Sequence, residues 1–181
     1  MIALAPATPR DAARLARLHG AVARDLTKRH GRGHWSHEPT EARVKRAMTT
    51  TRIIVAKDGR SIVGTFHLGT KKPWAIDPAY FTAVKRPLYL TDMAVDPRRQ
   101  RDGIGRLLME EASRVARAWP ADAIRLDAYA GPVGAAAFYE KCGLEEVGRV
   151  VYRGVPLIYF EIVVAVTAAG TSNRSRRRDR P

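Results

Sequence analysis

The residues with the clearest capacity for chemistry lie between Val95 and Arg106, in the run Val-Asp-Pro-Arg-Arg-Gln-Arg-Asp-Gly-Ile-Gly-Arg. Apolar periodicity begins at Gly103, so this run reads as a turn that opens a helix. The first N–H groups of a helix have no partner within it and carry partial positive charge, which suits a phosphate. Gly103 and Gly105 have no Cβ and let the backbone approach a ligand closely. Arg98, Arg99, Arg101 and Arg106 add positive charge around the turn. Together these features predict a diphosphate seat. It is not a P-loop, because Arg106-Leu107 follows the last glycine where Lys-Ser/Thr would be needed. Nor is it a dinucleotide fingerprint, which needs Gly-x-Gly-x-x-Gly inside a βαβ repeat. A second chemical candidate precedes it. Asp92 interrupts the apolar run Leu90–Val95, and a lone carboxylate in such a strand needs a reason. Asp127 sits similarly on a later strand. The five histidines form no metal pattern: His30, His34 and His37 share one loop, without a cysteine or a helical His-x-x-x-His pair, and read as a surface loop. The single cysteine, Cys142, excludes an internal disulfide, fits a reducing compartment, and reads as a small buried apolar residue.

The elements that must position these groups follow from pattern. Residues 2–7 read as a short strand. Thr8-Pro9-Arg10-Asp11 announces a helix, and Ala12, Leu15, Leu18, Val22 and Leu26 carry one face of it to about Leu26. A second helix is expected over Thr40–Met48. Arg52–Lys57 and Ser61–Leu68 are β-rich and separated by Asp58-Gly59-Arg60, a hairpin signal. Residues 70–87 form a long connection carrying Trp74, Tyr80 and Phe81. Leu88–Val95 is the next strand, with side chains alternating between faces, and Asp96-Pro97 ends it. Gly103–Trp119 is a helix stopped by Pro120, Ala123–Tyr129 a strand, and Gly134–Cys142 a short helix closed by Gly143. Glu145–Tyr152 and Pro156–Val166 complete the order βααβββαβαββ, an α+β domain of about seven strands and four helices.

The chain has 181 residues, 45% hydrophobic and 28% charged, which fits one domain with a full core. No apolar run approaches the ~20 residues of a membrane helix. The N-terminus lacks the apolar core of a signal peptide, so a cytoplasmic protein without membrane partners is expected. The net charge is +14; residues 171–181 hold five arginines against one aspartate, or +4, leaving +10 for the body. That segment has nothing apolar to bury and reads as a basic, disordered tail over 168–181 behind a domain at 1–167. A nucleic-acid-associated protein working through this tail is one alternative function; a solvated tail without a partner is the plainer reading.

The order of the segment from Val95 onward resembles the acetyl-CoA-binding motif of the GNAT superfamily of N-acetyltransferases. That pattern is Gln/Arg-x-x-Gly-x-Gly/Ala after a strand ending Val-x-Pro. The match is Gln100-Arg101-Asp102-Gly103-Ile104-Gly105 after Val95-Asp96-Pro97, and the element order is similar over about residues 1–166. The resemblance implies that the amides from Gln100 to Arg106 hold the CoA pyrophosphate. It also implies that the preceding strand splays from its neighbour, so that Met93, Ala94 and Val95 bind the pantetheine arm through their backbone. A second match is Arg125–Tyr129 followed by Ala135-Ala136-Ala137-Phe138-Tyr139-Glu140-Lys141-Cys142-Gly143-Leu144, similar to the family's Phe-Tyr-x-Lys-x-Gly-Phe unit. It implies that Tyr139 protonates the departing thiolate. The family frequently carries an acid at the place of Asp92, which implies that Asp92 serves as the base for the amine; Asp127, similarly placed on the next strand, is the second choice. Acetyl-CoA would be the co-substrate, no metal would be needed, and the acceptor would be the primary amine of a small molecule or a protein. A homodimer is compatible with the resemblance. Two positions depart from the pattern. Asp102 puts a carboxylate beside the diphosphate, unless it turns away or caps the helix, and Pro132 stands where the family often has asparagine. An acyl-CoA sensor without turnover is therefore the second alternative. The loop aromatics Trp35, Trp74, Tyr80 and Phe81 are placed either around the acceptor or in the core.

Overall fold

The computed structural model describes residues 1–164. The arginine-rich tail and the boundary assigned near residue 168 lie outside the described residues. Eleven elements follow one another: β1 (Ile2–Pro6), α1 (Ala12–His30), α2 (Glu41–Ala47), β2 (Arg52–Asp58), β3 (Ser61–Gly69), β4 (Pro87–Val95), α3 (Ile104–Ala118), β5 (Ala123–Tyr129), α4 (Ala136–Lys141), β6 (Glu145–Tyr152) and β7 (Val155–Val163). The seven strands form one sheet in the order β1-β2-β3-β4-β5-β7-β6. Every neighbouring pair is antiparallel except β4–β5, which is parallel. The expected α+β domain is the one observed.

The start of α1 shows how local sequence chemistry is used. The Asp11 carboxylate accepts from the Thr8 amide and the Thr8 hydroxyl, each at 3.0 Å, and from Lys57 of β2. Burial works to raise the Asp11 pKa, but these donors outweigh it and hold the acid below its ordinary value. The helix runs one turn past Leu26, to His30, and ends at Gly31 with φ +78°.

Alternation along β2 divides the protein into two layers. Ile53 and Val55 pack with Leu15 and Leu18 of α1 and Val44 of α2. Ile54 and Ala56 face the other way, into the larger cluster of Phe66, Leu68, Ile104, Leu108, Ile124 and Phe160. Phe66, Leu68, Leu108 and Phe160 are wholly buried, each worth about 1.5–3 kcal/mol of transfer free energy.

Two features of the sheet open the site. First, the alternation expected along β4 breaks: Thr65 pairs with Ala94 and His67 with Thr91, so Asp92 and Met93 together face Phe66. This is a β-bulge, and Asp92 takes φ +50° in it. A bulge bends its strand and increases the local twist. Second, β4 pairs with β5 only at Pro87–Ala123, Leu88–Ile124 and Tyr89–Arg125. Beyond Tyr89 the strands part, and β5 continues along β7 to Tyr129–Leu157.

The connection before β4 is fastened to the far side of the sheet. The buried Arg125–Glu161 pair, at 2.8 Å, also reaches Thr82: Arg125 donates to its carbonyl and Glu161 accepts from its amide. Tyr159 donates to the Ala75 carbonyl, and its ring packs with Ile76, Phe81 and Tyr89. Of the loop aromatics, Phe81 is thus core, while Trp74 is 84% exposed. Tyr80 stacks edge-on against Tyr159.

Candidate active site

The turn from Asp96 to Gly103 combines a 3-10 segment with two left-handed residues, Arg101 (φ +72°) and Gly103 (φ +80°). The first helical bond of α3 runs from the Leu107 amide to the Gly103 carbonyl at 3.1 Å. The N–H groups of Ile104, Gly105 and Arg106 therefore precede any i−4 partner and face outward at the positive end of the helix. A Cβ on Gly103 would meet no atom within 4 Å, so this side of the turn is open. Gly105 also has a packing role. A Cβ there would lie 3.0 Å from the Phe138 ring, so the missing side chain admits α4 against α3.

Asp102 does not cap α3. It pairs with Arg99 at 2.8 Å, and Arg99 also holds Asp58 of the β2–β3 hairpin at 2.8 Å. The charge of this carboxylate is thereby compensated within the turn. Arg98 pairs with Asp96 and Arg106 with Glu110. Among the described residues, Arg101 has no carboxylate partner, unlike Arg98, Arg99 and Arg106. Gln100, beside it, is exposed. Replacing Gly103 by alanine should destabilise the fold by about 1–2 kcal/mol, since an L-residue resists this φ. The new methyl also stands in the open space, so a several-fold rise in the Kd for CoA is expected. Denaturant unfolding and calorimetric titration check the two parts.

The gap between β4 and β5 continues this turn. The Asp96 amide donates to Val63 of β3 at 2.9 Å, and backbone direction alternates along a strand, so the Val95 N–H points to the open edge. Met93, Ala94 and Val95 thus line the gap on a strand whose outer edge has lost its partner. On the α3–α4 side stands Tyr139, 8% exposed, with its hydroxyl 3.9 Å from Met93 Sδ. Burial first, then the negative charge of Asp127 and the nearby Cys142, pushes its phenol well above the usual range, so the proton stays on oxygen. Cys142 itself is half-buried rather than buried.

On the α1 side stands Asp92, its side chain 61% exposed. Asp127 and Tyr129 project from β5. The Asp127 carboxyl is raised mainly by burial and further by the charge on Asp92. Tyr129 is raised by burial, then by Asp127 and Asp92. Trp35 stacks edge-on against Tyr129 with ring centroids 5.5 Å apart. Asp92 and Tyr139 are therefore brought to the same gap from opposite layers of the sheet.

Two residues without a role in the sequence reading complete this side. His67 of β3 is 4% exposed and lies 3.3 Å, through Nδ1, from Asp92 Oδ2. His19 of α1 packs edge-on against it at 6.0 Å. The available signal was the one applied to Asp92, a lone titratable group in an apolar strand, here Ser61–Leu68. Burial pushes the His67 pKa down to about 4, against the pull of Asp92 and aided by His19. Burial also lowers His19. In the unfolded chain an imidazole takes its proton near pH 6.5, whereas folded His67 resists until about 4. Stability is therefore full above pH 6.5 and falls as pH drops through that window, by about 3 kcal/mol from this group. Urea unfolding between pH 7 and 4 should show this loss, and His67→Gln should reduce it.

Two cavities are lined by other residues. One of about 430 Å³ lies among Leu4, Met48, Arg52, Glu111 and Val115. One of about 320 Å³ lies among Asp58, Ser61, Asp96, Arg98 and Arg99, on the hairpin side of the turn. Neither includes Asp92 or Tyr139, and the site here is defined by the gap and its chemistry. Among the described residues, no group of three or more His, Cys, Asp and Glu side chains could hold a metal. No helix among them is long and apolar enough to cross a membrane.

No curated protein matches the sequence. Solved structures do. The yncA protein of Salmonella typhimurium, solved with its cofactor acetyl-CoA, is 14% identical with a TM-score of 0.69, over 93% of this chain and 96% of that one. The ribosomal-protein-S18-alanine N-acetyltransferase of Escherichia coli is 16% identical with a TM-score of 0.67, over 95% and 98%. The PaiA N-acetyltransferase of Thermoplasma acidophilum, in complex with coenzyme A, is 13% identical with a TM-score of 0.68, over 90% and 99%. At these identities the likeness is one of fold. The sequence profile of the Acetyltransferase (GNAT) family matches residues 21–144. With the splayed strands and the helix start now in place, that match over most of the chain shows that the protein belongs to the GNAT family of acetyltransferases.

Proposed function

We propose that the chain transfers acetyl from acetyl-CoA to a primary amine by direct attack. One observation carries this reading: a carboxylate and a protonated phenol reach the same gap from opposite layers, and the gap runs into a helix start with free amides. The residues present fit the co-substrate. The amides of Ile104 to Arg106 and the Arg101 guanidinium suit the pyrophosphate, and the open edge at Met93–Val95 suits an amide-bearing arm. Bound acetyl-CoA supplies an activated thioester, and structures of this fold hold acetyl-CoA or CoA.

The chain's own groups do the rest. Asp92 accepts a proton from the incoming ammonium, which exposes the nitrogen lone pair. The Val95 N–H is placed to polarise a carbonyl in the gap. As the nitrogen–carbon bond forms and the carbon–sulfur bond breaks, Tyr139 gives its phenolic proton to the departing thiolate, and the remaining excess proton on the nitrogen restores the phenol. Trp35 and Tyr129 flank the side from which the acceptor enters. The acceptor is a small-molecule or protein amine; the latter has a precedent in the fold, since one structural relative is named for a ribosomal protein. We place the working unit within residues 1–167, in the cytoplasm, with the basic tail as an appendage; a homodimer is compatible with this. An amine panel with acetyl-CoA, read by thiol release, tests the reading. Amine-dependent release is expected, and none with any amine would leave the binding-module alternative standing.

A further inference from the structure

Two costly features of this protein face each other. Asp92 occupies the left-handed region, at φ +50°, where a residue with a Cβ is held only by its surroundings. His67, 4% exposed, has a buried Nε2 with no hydrogen-bond partner. A buried polar atom without a partner costs stability, and an apolar residue of similar size would fit this strand at lower cost. Its neighbours on β3, Phe66 and Leu68, are apolar and wholly buried. The fold alone gives no reason for an imidazole at position 67. Its other nitrogen, Nδ1, lies 3.3 Å from Asp92 Oδ2.

We infer that His67 is a positioning residue for Asp92: it presents a neutral Nδ1–H to the carboxylate and fixes the bulge so that Asp92 faces the acceptor. The inference rests on the proposed role of Asp92 as base. His67 does not touch the acceptor, since it lies sealed beneath the sheet surface. The groups facing it are His19 from α1 and Asp92 from β4; Asp127 and Tyr129 of β5 act on Asp92 from across the gap. A neutral donor suits the task better than a cation. An arginine or lysine would hold Asp92 equally well but would cancel the charge that draws in an ammonium. A neutral imidazole orients the carboxylate and leaves that charge in place. His19, packed edge-on with its own pKa lowered by burial, adds no positive charge below His67.

The first test is independent of turnover. Imidazole 15N spectra of the full chain should show His67 neutral and protonated on Nδ1 from pH 6 to 8, with this preference lost in Asp92→Ala. A protonated Nε2, or titration of His67 within that range, would overturn the inference. The second test uses variants. His67→Leu should fold with unchanged or raised Tm, yet lose about 10- to 100-fold in kcat, because a misplaced base is costly. His67→Asn offers an amide donor near the Nδ1 position and should recover most of that loss. Leu and wild type with equal kcat, or Asn no better than Leu, would refute the positioning role. If wild type acetylates no amine, the proposed function fails, while the 15N spectra still decide the fate of His67.

Discussion

Tyr139→Phe should lower kcat by about 10²- to 10³-fold with the KM for acetyl-CoA nearly unchanged, the loss expected when a general acid is removed. The phenol keeps its proton because burial and the charge on Asp127 disfavour the phenolate. The phenol is therefore protonated at neutral pH, and the loss should be similar from pH 6 to 8. The hydroxyl's recorded partner is Met93 Sδ, a weak acceptor at 3.9 Å, so little stability goes with it. The ring keeps its place between Phe138 and Phe160. A fall in kcat without a change in KM marks an interaction made only in the transition state. Steady-state kinetics at several pH values check it. A variant within about threefold of wild type would remove Tyr139 from the chemistry, since a working acid contributes 10² or more.

The second large effect is expected for Asp92→Asn. Asparagine tolerates the left-handed region, so the bulge should survive the exchange. What is lost is the proton acceptor. At neutral pH an alkylamine of pKa about 10 is almost wholly ammonium and has no lone pair to offer. The kcat/KM of the variant should fall by about 10²-fold or more at pH 7 and climb tenfold per pH unit toward the amine's own pKa. Wild type should rise less steeply, because the enzyme takes the proton itself. Equal profiles for the two proteins would assign the base elsewhere, with Asp127 next in line.

Much of this was legible in the residues. The order of elements, the α+β class and the bounds of β5 and β6 follow from periodicity and turn signals, which are local. The turn that opens α3 was legible because the position of Gly103 records what the backbone must do there. Three features were not. The bulge at Asp92 depends on how β3 and β4 register, and a one-residue slip leaves no mark in either strand alone. The compensation of Asp102 depends on Arg99, which also pairs with Asp58, forty-one positions earlier in the chain. His67 was hidden because its partner comes from another strand, and a single histidine between Phe66 and Leu68 looks like any buried ring. In each case the missing information was a long-range pairing.

The seat itself is the claim on which the rest depends, and amide-resolved NMR during titration with acetyl-CoA tests it most directly. Saturable shifts are expected along Met93–Val95, from Gln100 to Arg106 and at Tyr139. Residues lining the 430 Å³ cavity, such as Leu4, Met48 and Val115, should stay unmoved. Shifts confined to that cavity, or none at the start of α3, would contradict it.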